Sequence, residues 1–152
     1  HFEKTEYSPA TTAAPSNPGL KATWYDFKGK TCAEIAAAPV KKTYRVEDVT
    51  IPRGVKSYII GLTYKGYINI PEDGIYSFYL SSDDGSMLYI DGKQVIDNDG
   101  LHAPGEVTGQ AALKQGYHPI EVQYFDHGGG SINLKVCDNN GKEMPFTYLY
   151  AH

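Results

Sequence analysis

Residues 74–92, Gly-Ile-Tyr-Ser-Phe-Tyr-Leu-Ser-Ser-Asp-Asp-Gly-Ser-Met-Leu-Tyr-Ile-Asp-Gly, decide the fold. Along an extended chain Tyr76, Phe78 and Leu80 share one side, and Ser77, Tyr79 and Ser81 the other. That period of two belongs to a strand with one face inside. A second strand follows at Ser86–Ile90, with Leu88 and Ile90 on one side. Asp91-Gly92 is a two-residue hairpin signal, so Lys93–Asp97 is expected to return antiparallel. Between the first two strands stand Asp83 and Asp84, closed by Gly85. Adjacent carboxylates at a strand end suit a hard cation better than acid–base chemistry.

Outward from this stretch the strand signals repeat. Upstream, Ser57–Ile70 is rich in Tyr, Ile and Thr, and Pro71-Glu72-Asp73-Gly74 makes a turn. Downstream, Asn98–Gly105 reads as a loop, Glu106–Leu113 as a strand and Lys114-Gln115-Gly116 as a turn. Ile120, Val122 and Tyr124 then alternate with Glu121, Gln123 and Phe125. Gly128-Gly129-Gly130 interrupts the chain before Ile132, Leu134 and Val136, and a short strand near Phe146–Leu149 closes the domain. Earlier, Leu20–Phe27 and Thr43–Val49 are strand-like. Ala-rich Cys32–Ala38 is the one expected helix, with Thr31 at its N-cap. Short strands separated by Gly-rich turns, with almost no helix, predict an all-β antiparallel sandwich or barrel. Residues 1–18 carry Pro9, Pro15 and Pro18 among small polar residues and read as a linker or a disordered terminus. The folded domain is expected over residues 19–152.

A chain of 152 residues suits one domain. Its net charge of −4 offers no basic surface to nucleic acid or anionic lipid. No apolar run approaches the roughly 20 residues that cross a bilayer, so membrane insertion is not expected. No positively charged segment followed by an apolar stretch opens the chain, as in a mature or excised fragment of an exported protein. Two cysteines, Cys32 and Cys137, allow one disulfide in an oxidising compartment but no zinc site. Thirteen tyrosines stand against one tryptophan and five phenylalanines. That skew fits pleated, half-wet strands, and it also fits sugar-contacting faces.

Several ordered motifs together resemble the protective-antigen (PA-14) domain family. They are Pro71–Phe78, Ser82-Asp83-Asp84-Gly85, Leu88–Lys93, Val95-Ile96-Asp97, Gly116–Val122, Gly128–Ser131 and the Pro145–Tyr150 tail. The resemblance covers roughly residues 19–150. It implies an antiparallel β-sandwich or barrel, usually non-catalytic, appended to secreted glycosidases, adhesins or toxins, with several members binding carbohydrate. In the yeast adhesins of this family two adjacent aspartates hold a calcium ion through a cis peptide. There an asparagine on a second loop completes the site, and sugar hydroxyls coordinate the same ion. Here the pair matches Asp83 and Asp84. The second loop matches Tyr124–Ser131, which carries no asparagine; Asp126 and His127 are the stand-in candidates, and Asn133 lies just beyond.

The residues leave alternatives open. Neighbouring side chains on a regular strand point apart, so Asp83 and Asp84 reach one ion only if the backbone bends between them. Otherwise one aspartate caps the turn at Gly85 and the other is solvated. Asn98, Asp99, His102 and Glu106 form a second polar loop that either borders a ligand or, less in keeping with its irregular spacing, holds a transition metal. Gly128–Gly130 either admits a ligand to the backbone or is a flexible hairpin tip. There is no nucleophile elbow, no His-Glu-x-x-His and no phosphate loop. The expectation is therefore a non-catalytic, extracytoplasmic, glycan-binding accessory module, attached to the catalytic domain of a glycan-degrading enzyme. Its ligand contacts are expected at Asp83, Asp84, His102, Asp126 and His127, with Ca²⁺ on Asp83 and Asp84. The competing readings are a structural spacer against that catalytic domain and an adhesin head.

Overall fold

The computed structural model describes residues 6–12, 17–55, 59–128, 130–143 and 145–150. Residues 1–5 and 13–16 of the expected linker, Ser57 and Tyr58 of the expected strand, and Gly129 lie outside them.

Among the described residues eleven strands form two antiparallel sheets. The larger contains β1 (Asn17–Pro18), β2 (Leu20–Tyr25), β3 (Val40–Val46), β4 (Ile60–Ile70), β6 (Ser86–Ile90), β7 (Lys93–Asn98), β9 (Gly116–Asp126) and β11 (Tyr148–Tyr150). Its order is β1-β11-β4-β9-β6-β7, with β2 also paired to β4 and β3 paired to β2. The smaller sheet is β10-β5-β8, from β5 (Gly74–Asp83), β8 (Gly105–Leu113) and β10 (Ser131–Cys137). This is the expected all-β antiparallel sandwich. The period of two is obeyed strictly in β5, where buried and half-buried residues alternate from Gly74 to Asp83.

Between the sheets lies one core. Leu62, Tyr64 and Ile68 of β4, Phe78 and Leu80 of β5, and Leu88 of β6 are among its fully buried members. Leu80→Ala is expected to cost about 2–5 kcal/mol, the usual loss for truncating a fully buried leucine, read as a lower denaturant midpoint at unchanged slope.

A second, smaller cluster covers part of the outer face of the large sheet: Phe27, Cys32, Ile35, Met87 and Phe125. It explains why Phe125 is buried although it alternates with the inward-facing Tyr124. The segment over it, Cys32–Ala37, is a 3-10 helix, and Thr31 makes no side-chain capping bond. Here the expected N-cap is corrected. The Thr31 backbone is extended, but the hydrogen bonds stay local, Glu34 N–H to Thr31 O and Ala38 N–H to Ile35 O. Cys32 and Cys137 are both free and buried.

The hairpin at Asp91-Gly92 forms as expected, with φ of 55° and 75° at the two central residues. Both lie in the left-handed region that such tight turns require. Asp91 also accepts from Nδ1 of the buried His118 at 2.9 Å, and His118 Nε2 faces Lys114 O at 2.7 Å. This pins the hairpin to β9. Parts of the N-terminal stretch run along the domain. Ser8 N–H donates to Ala112 O, Lys114 N–H donates to Ser8 O, and β1 pairs with β11.

Candidate functional site

The corner where β5 hands over to β6 gathers three carboxylates. Asp83 ends β5, Asp84 follows it, and Asp126 ends β9. One oxygen from each lies within 4.8 Å of the others. The Asp83–Asp84 peptide is cis.

Backbone pairing sets this geometry. Asp84 N–H donates to Phe125 O at 3.2 Å, and Phe125 N–H donates to Gly85 O at 3.0 Å. Phe125 is in turn held by the cluster under the 3-10 helix, with its ring 5.3 Å from that of Phe27. Beneath the corner Ser82 Oγ–H donates to Asp84 O at 2.6 Å, and Ser86 Oγ lies 2.6 Å from Ser82 Oγ. The buried Asn98 amide reaches Gly105 O at 3.1 Å and Ser82 Oγ at 3.4 Å.

The carboxylates differ in their partners. Asp84 Oδ1 accepts from the His102 N–H at 3.0 Å and Oδ2 from the His127 N–H at 2.9 Å. One side chain thereby ties together the loop after β7 and the loop after β9. Asp126 accepts from Gly128 N–H at 3.0 Å and from Gly130 N–H. Asp83 makes no carboxylate hydrogen bond among the described residues, while its carbonyl accepts from Tyr124 Oη–H at 3.0 Å. Neither aspartate caps the turn at Gly85, so that alternative is set aside. Burial raises the pKa of Asp126; the Gly130 and Gly128 amides oppose this, and the neighbouring Asp84 and Asp83 add to it. Tyr124→Phe removes only the hydroxyl over Asp83 O and is expected to cost about 1 kcal/mol, the net value of one such bond, measured as a shift in thermal midpoint.

The two histidines hold the corner through their backbone, and their rings point elsewhere. His102 Nδ1 lies 2.7 Å from Ala103 O and Nε2 lies 2.8 Å from Asn98 O. Both ring nitrogens face acceptors, which favours the imidazolium. Burial pulls the His102 pKa down, but those two carbonyls and the carboxylates of Asp84 and Asp83 outweigh it, so it stands above the ordinary value. His127 Nε2 is 2.6 Å from Gly29 O. Of the second polar loop, Asp99 Oδ1 accepts from Cys32 N–H at 2.9 Å and Glu106 Oε2 from Ser81 Oγ–H at 3.2 Å. These partners account for the loop without a transition metal. Asn133 is exposed on β10, opposite Ser81.

The donor set fits a hard divalent cation. Ca²⁺ takes six to eight oxygens at about 2.3–2.6 Å. Each carboxylate oxygen that accepts one N–H keeps a second lone pair, and Asp83 keeps both of its oxygens. Three acids so close repel one another unless a cation or protons intervene.

The family model described as PA14 domain matches residues 16–148. This chain belongs to the PA14 domain family. Among solved structures, this PA14 domain is similar to a PA14 sugar-binding domain from an RTX adhesin. That match has a TM-score of 0.75 at 18% identity over 90% of this chain and all of that one. It is also similar to the PA14 domain of an antifreeze protein, MpAFP, with a TM-score of 0.72 at 19% identity, over 92% of each chain. A subtype-switched epithelial adhesin A domain from Candida glabrata, in complex with β-lactose, matches with a TM-score of 0.66 at 12% identity, over 99% of this chain and 95% of that one. These likenesses establish the fold. In sequence, the PA14 domain is 36% identical over 77 residues to a β-hexosaminidase of Porphyromonas gingivalis, half of this chain and 9% of that protein. It is 41% identical over 68 residues to an α-agarase of Thalassotalea agarivorans, 45% of this chain and 4% of that protein. The PA14 domain thus spans less than a tenth of the length of either relative. No helix among its described residues is long and apolar enough to cross a membrane.

The sequence singled out Asp83, Asp84, Asp126, His102 and His127, and all five meet at this corner, the histidines by their backbone N–H groups. Sequence reasoning named Asn98 only as part of the second polar loop and missed the other supports, Ser82, Ser86 and Tyr124. Ser82 and Tyr124 flank the two acidic positions in the sequence, but serine and tyrosine are too common in strands to stand out.

Proposed function

We infer that this domain is a non-catalytic carbohydrate-binding module whose acidic corner works through Ca²⁺. Asp83, Asp84 and Asp126 hold the ion, and a sugar's vicinal hydroxyls take the positions the protein leaves open. The carrying observation is that carboxylate oxygens from three residues lie within 4.8 Å of one another, with Asp84 and Asp126 already aimed by four backbone N–H groups. Preorganised oxygens lose little freedom when a ligand docks. The similar structures, a sugar-binding domain and a lactose complex, support the same reading, as do the β-hexosaminidase and the α-agarase among its relatives. The module would then serve the catalytic domain of an extracytoplasmic glycan-degrading enzyme by keeping it on its substrate. Catalysis at the corner itself is disfavoured by geometry. A glycosidase keeps its two carboxyls about 5–9.5 Å apart across a cleft, with room for a sugar ring, whereas these acids crowd one point.

A spacer role would call for an exposed apolar face. Among the described residues the large exposed hydrophobics are Val40 and Leu101, on separate elements, so sugar binding is the better supported reading.

Glycan-array screening and calorimetry, each with Ca²⁺ and with chelator, test the proposal. Binding to at least one neutral glycan is expected in Ca²⁺ and not in chelator. Ca²⁺ at about 100 times its Kd should also stabilise the fold by about 2.7 kcal/mol, raising the thermal midpoint by roughly 5–10 °C for a chain of this size. A midpoint indifferent to Ca²⁺ would rule the ion out.

A further inference from the structure

The outer face of the large sheet is only partly covered by the Phe27–Phe125 cluster. Beside the cluster lies an open groove of about 550 Å³, lined in part by Tyr67, Tyr89 and Tyr150. Its volume falls in the range of small-molecule sites. From strand register, one row of residues runs across its floor: Lys21 on β2, Lys65 on β4, Glu121 on β9 and Tyr89 on β6. The strand rise of about 3.3 Å per residue puts Glu121 roughly 17 Å along β9 from Asp126 at the acidic corner.

The charges in this row are unbalanced. Lys21 and Lys65 are direct cross-strand neighbours, an arrangement that costs free energy through repulsion. Neither is in an ion pair among the described residues, where the pairs are Arg45–Glu47 and His118–Asp91. Glu121, the one acid lining the groove among the described residues, lies on β9 opposite Lys65 and has its Oε2 taken by the Gln123 amide at 2.7 Å. Two other lysines of this sheet are engaged: Lys41 lies 4.3 Å from the Trp24 ring centroid and Lys42 lies 5.3 Å from that of Tyr44. Two exposed ammonium groups therefore stand side by side over a tyrosine-lined groove on a chain whose net charge is −4. Tyr89 is half-buried and packs against the cluster under the 3-10 helix, so its ring is already fixed.

We propose that this groove is a second glycan site, independent of the acidic corner and of Ca²⁺, which takes an acidic saccharide segment bearing a carboxylate or sulfate. Tyr67 and Tyr89 supply apolar contact to the sugar ring, as tyrosine's apolar body and polar tip allow. Lys21 and Lys65 take the anionic group, and its arrival relieves their mutual repulsion. A protein partner is the poorer match, since the buried centres of protein interfaces are depleted in lysine and glutamate.

Calorimetric titration of the domain in EDTA tests this, with tetragalacturonate and a chondroitin sulfate tetrasaccharide as acidic probes and maltotetraose as the neutral one. At least one acidic probe is expected to bind, equally well when Ca²⁺ replaces EDTA, and more weakly as salt is raised. The double variant Lys21→Ala/Lys65→Ala should bind it about tenfold or more weakly, as expected on losing charge-assisted contacts. Tyr67→Ala should weaken it as well. The charge-matched control Lys28→Ala/Lys142→Ala, outside the groove, should bind as the parent does. The proposal is overturned if neither acidic probe binds in EDTA, if maltotetraose binds as tightly, if binding requires Ca²⁺, or if the Lys21/Lys65 variant binds unchanged. Because the assay runs without Ca²⁺, its outcome does not depend on whether the acidic corner binds an ion.

Discussion

Asp83→Asn is expected to weaken Ca²⁺ binding about 100-fold or more while leaving the metal-free domain at least as stable as the parent, and Asp84→Asn is expected to damage both. The contrast follows from their partners. Asp83 offers a carboxylate with no hydrogen bond among the described residues, so a neutral amide there removes a charge from the ion and little else. Affinity in oxygen-ligand sites follows the number of charged ligands, and losing one of three should cost about 100-fold or more in Kd. Asp84 instead accepts N–H groups from two loops, at 3.0 Å from His102 and 2.9 Å from His127. An asparagine can accept from one of them and must turn its NH₂ toward the other, leaving two donors facing each other. That change is expected to cost about 1–3 kcal/mol in chelator, the penalty for an unsatisfied polar group, and to loosen both loops. Calorimetric Ca²⁺ titration together with thermal melts in EDTA separates the two effects. Retention of parental Ca²⁺ affinity by Asp83→Asn would remove this residue from the site. Equal melts for Asp84→Asn and the parent would mean that the loops are held by something else.

How much of this was legible beforehand follows the range of the interactions. The strands were readable because alternation is a local signal: Tyr76, Phe78 and Leu80 show it within five residues, and they are buried as it demands. The Asp91-Gly92 turn was readable for the same reason, since its backbone requirement falls on those two residues. The acidic corner was half readable. Asp83 and Asp84 adjoin in sequence, whereas Asp126 was reached only through the family's second loop; it meets them because β9 lies beside β6 with Ser86 opposite Tyr124. No spacing rule spans such a distance. The short helix was readable in its alanine-rich run, but its capping was not: Thr31 makes no side-chain cap, and the segment serves as a lid. Cys32 and Ile35 are buried over Phe125, and the Cys32 N–H is tied to Asp99 Oδ1 at 2.9 Å, which is a tertiary constraint. The tyrosine groove was illegible in another way. Tyr67 and Tyr89 read as ordinary strand residues until the register brings Lys21 and Lys65 together beside them.

Gly130→Ala is expected to be the most damaging alanine substitution among the described glycines, because its closest neighbour there is backbone. The triple glycine read as a ligand portal or a loose tip, yet what approaches Gly130 is the protein itself. A Cβ there would sit 1.9 Å from Asp83 O, 2.5 Å from Asp126 Cγ and 2.6 Å from Tyr124 Oη. The nearest of these is backbone, belonging to the residue that ends β5, so it cannot rotate away as a flexible side chain does. The Gly130 N–H also donates to Asp126, so a shift of Gly130 to make room gives up a contact that aims a carboxylate. Overpacking usually costs about 1–3 kcal/mol, and with a displaced hydrogen bond added about 3 kcal/mol or more is expected. That is a fall of roughly 6–12 °C in thermal midpoint for a domain of this length. Gly85→Ala should behave similarly, since its Cβ would lie 2.4 Å from Phe125 Cε1 and 2.8 Å from Gly100 N. Gly105→Ala is the control: its Cβ would meet only Ala103 O, at an ordinary 3.7 Å, and a change within about 0.5 kcal/mol is expected at such a surface site. If Gly130→Ala melts with the parent while Gly105→Ala does not, the close approach of the loop after β9 to the end of β5 is wrong, and the three-carboxylate corner built on it falls as well.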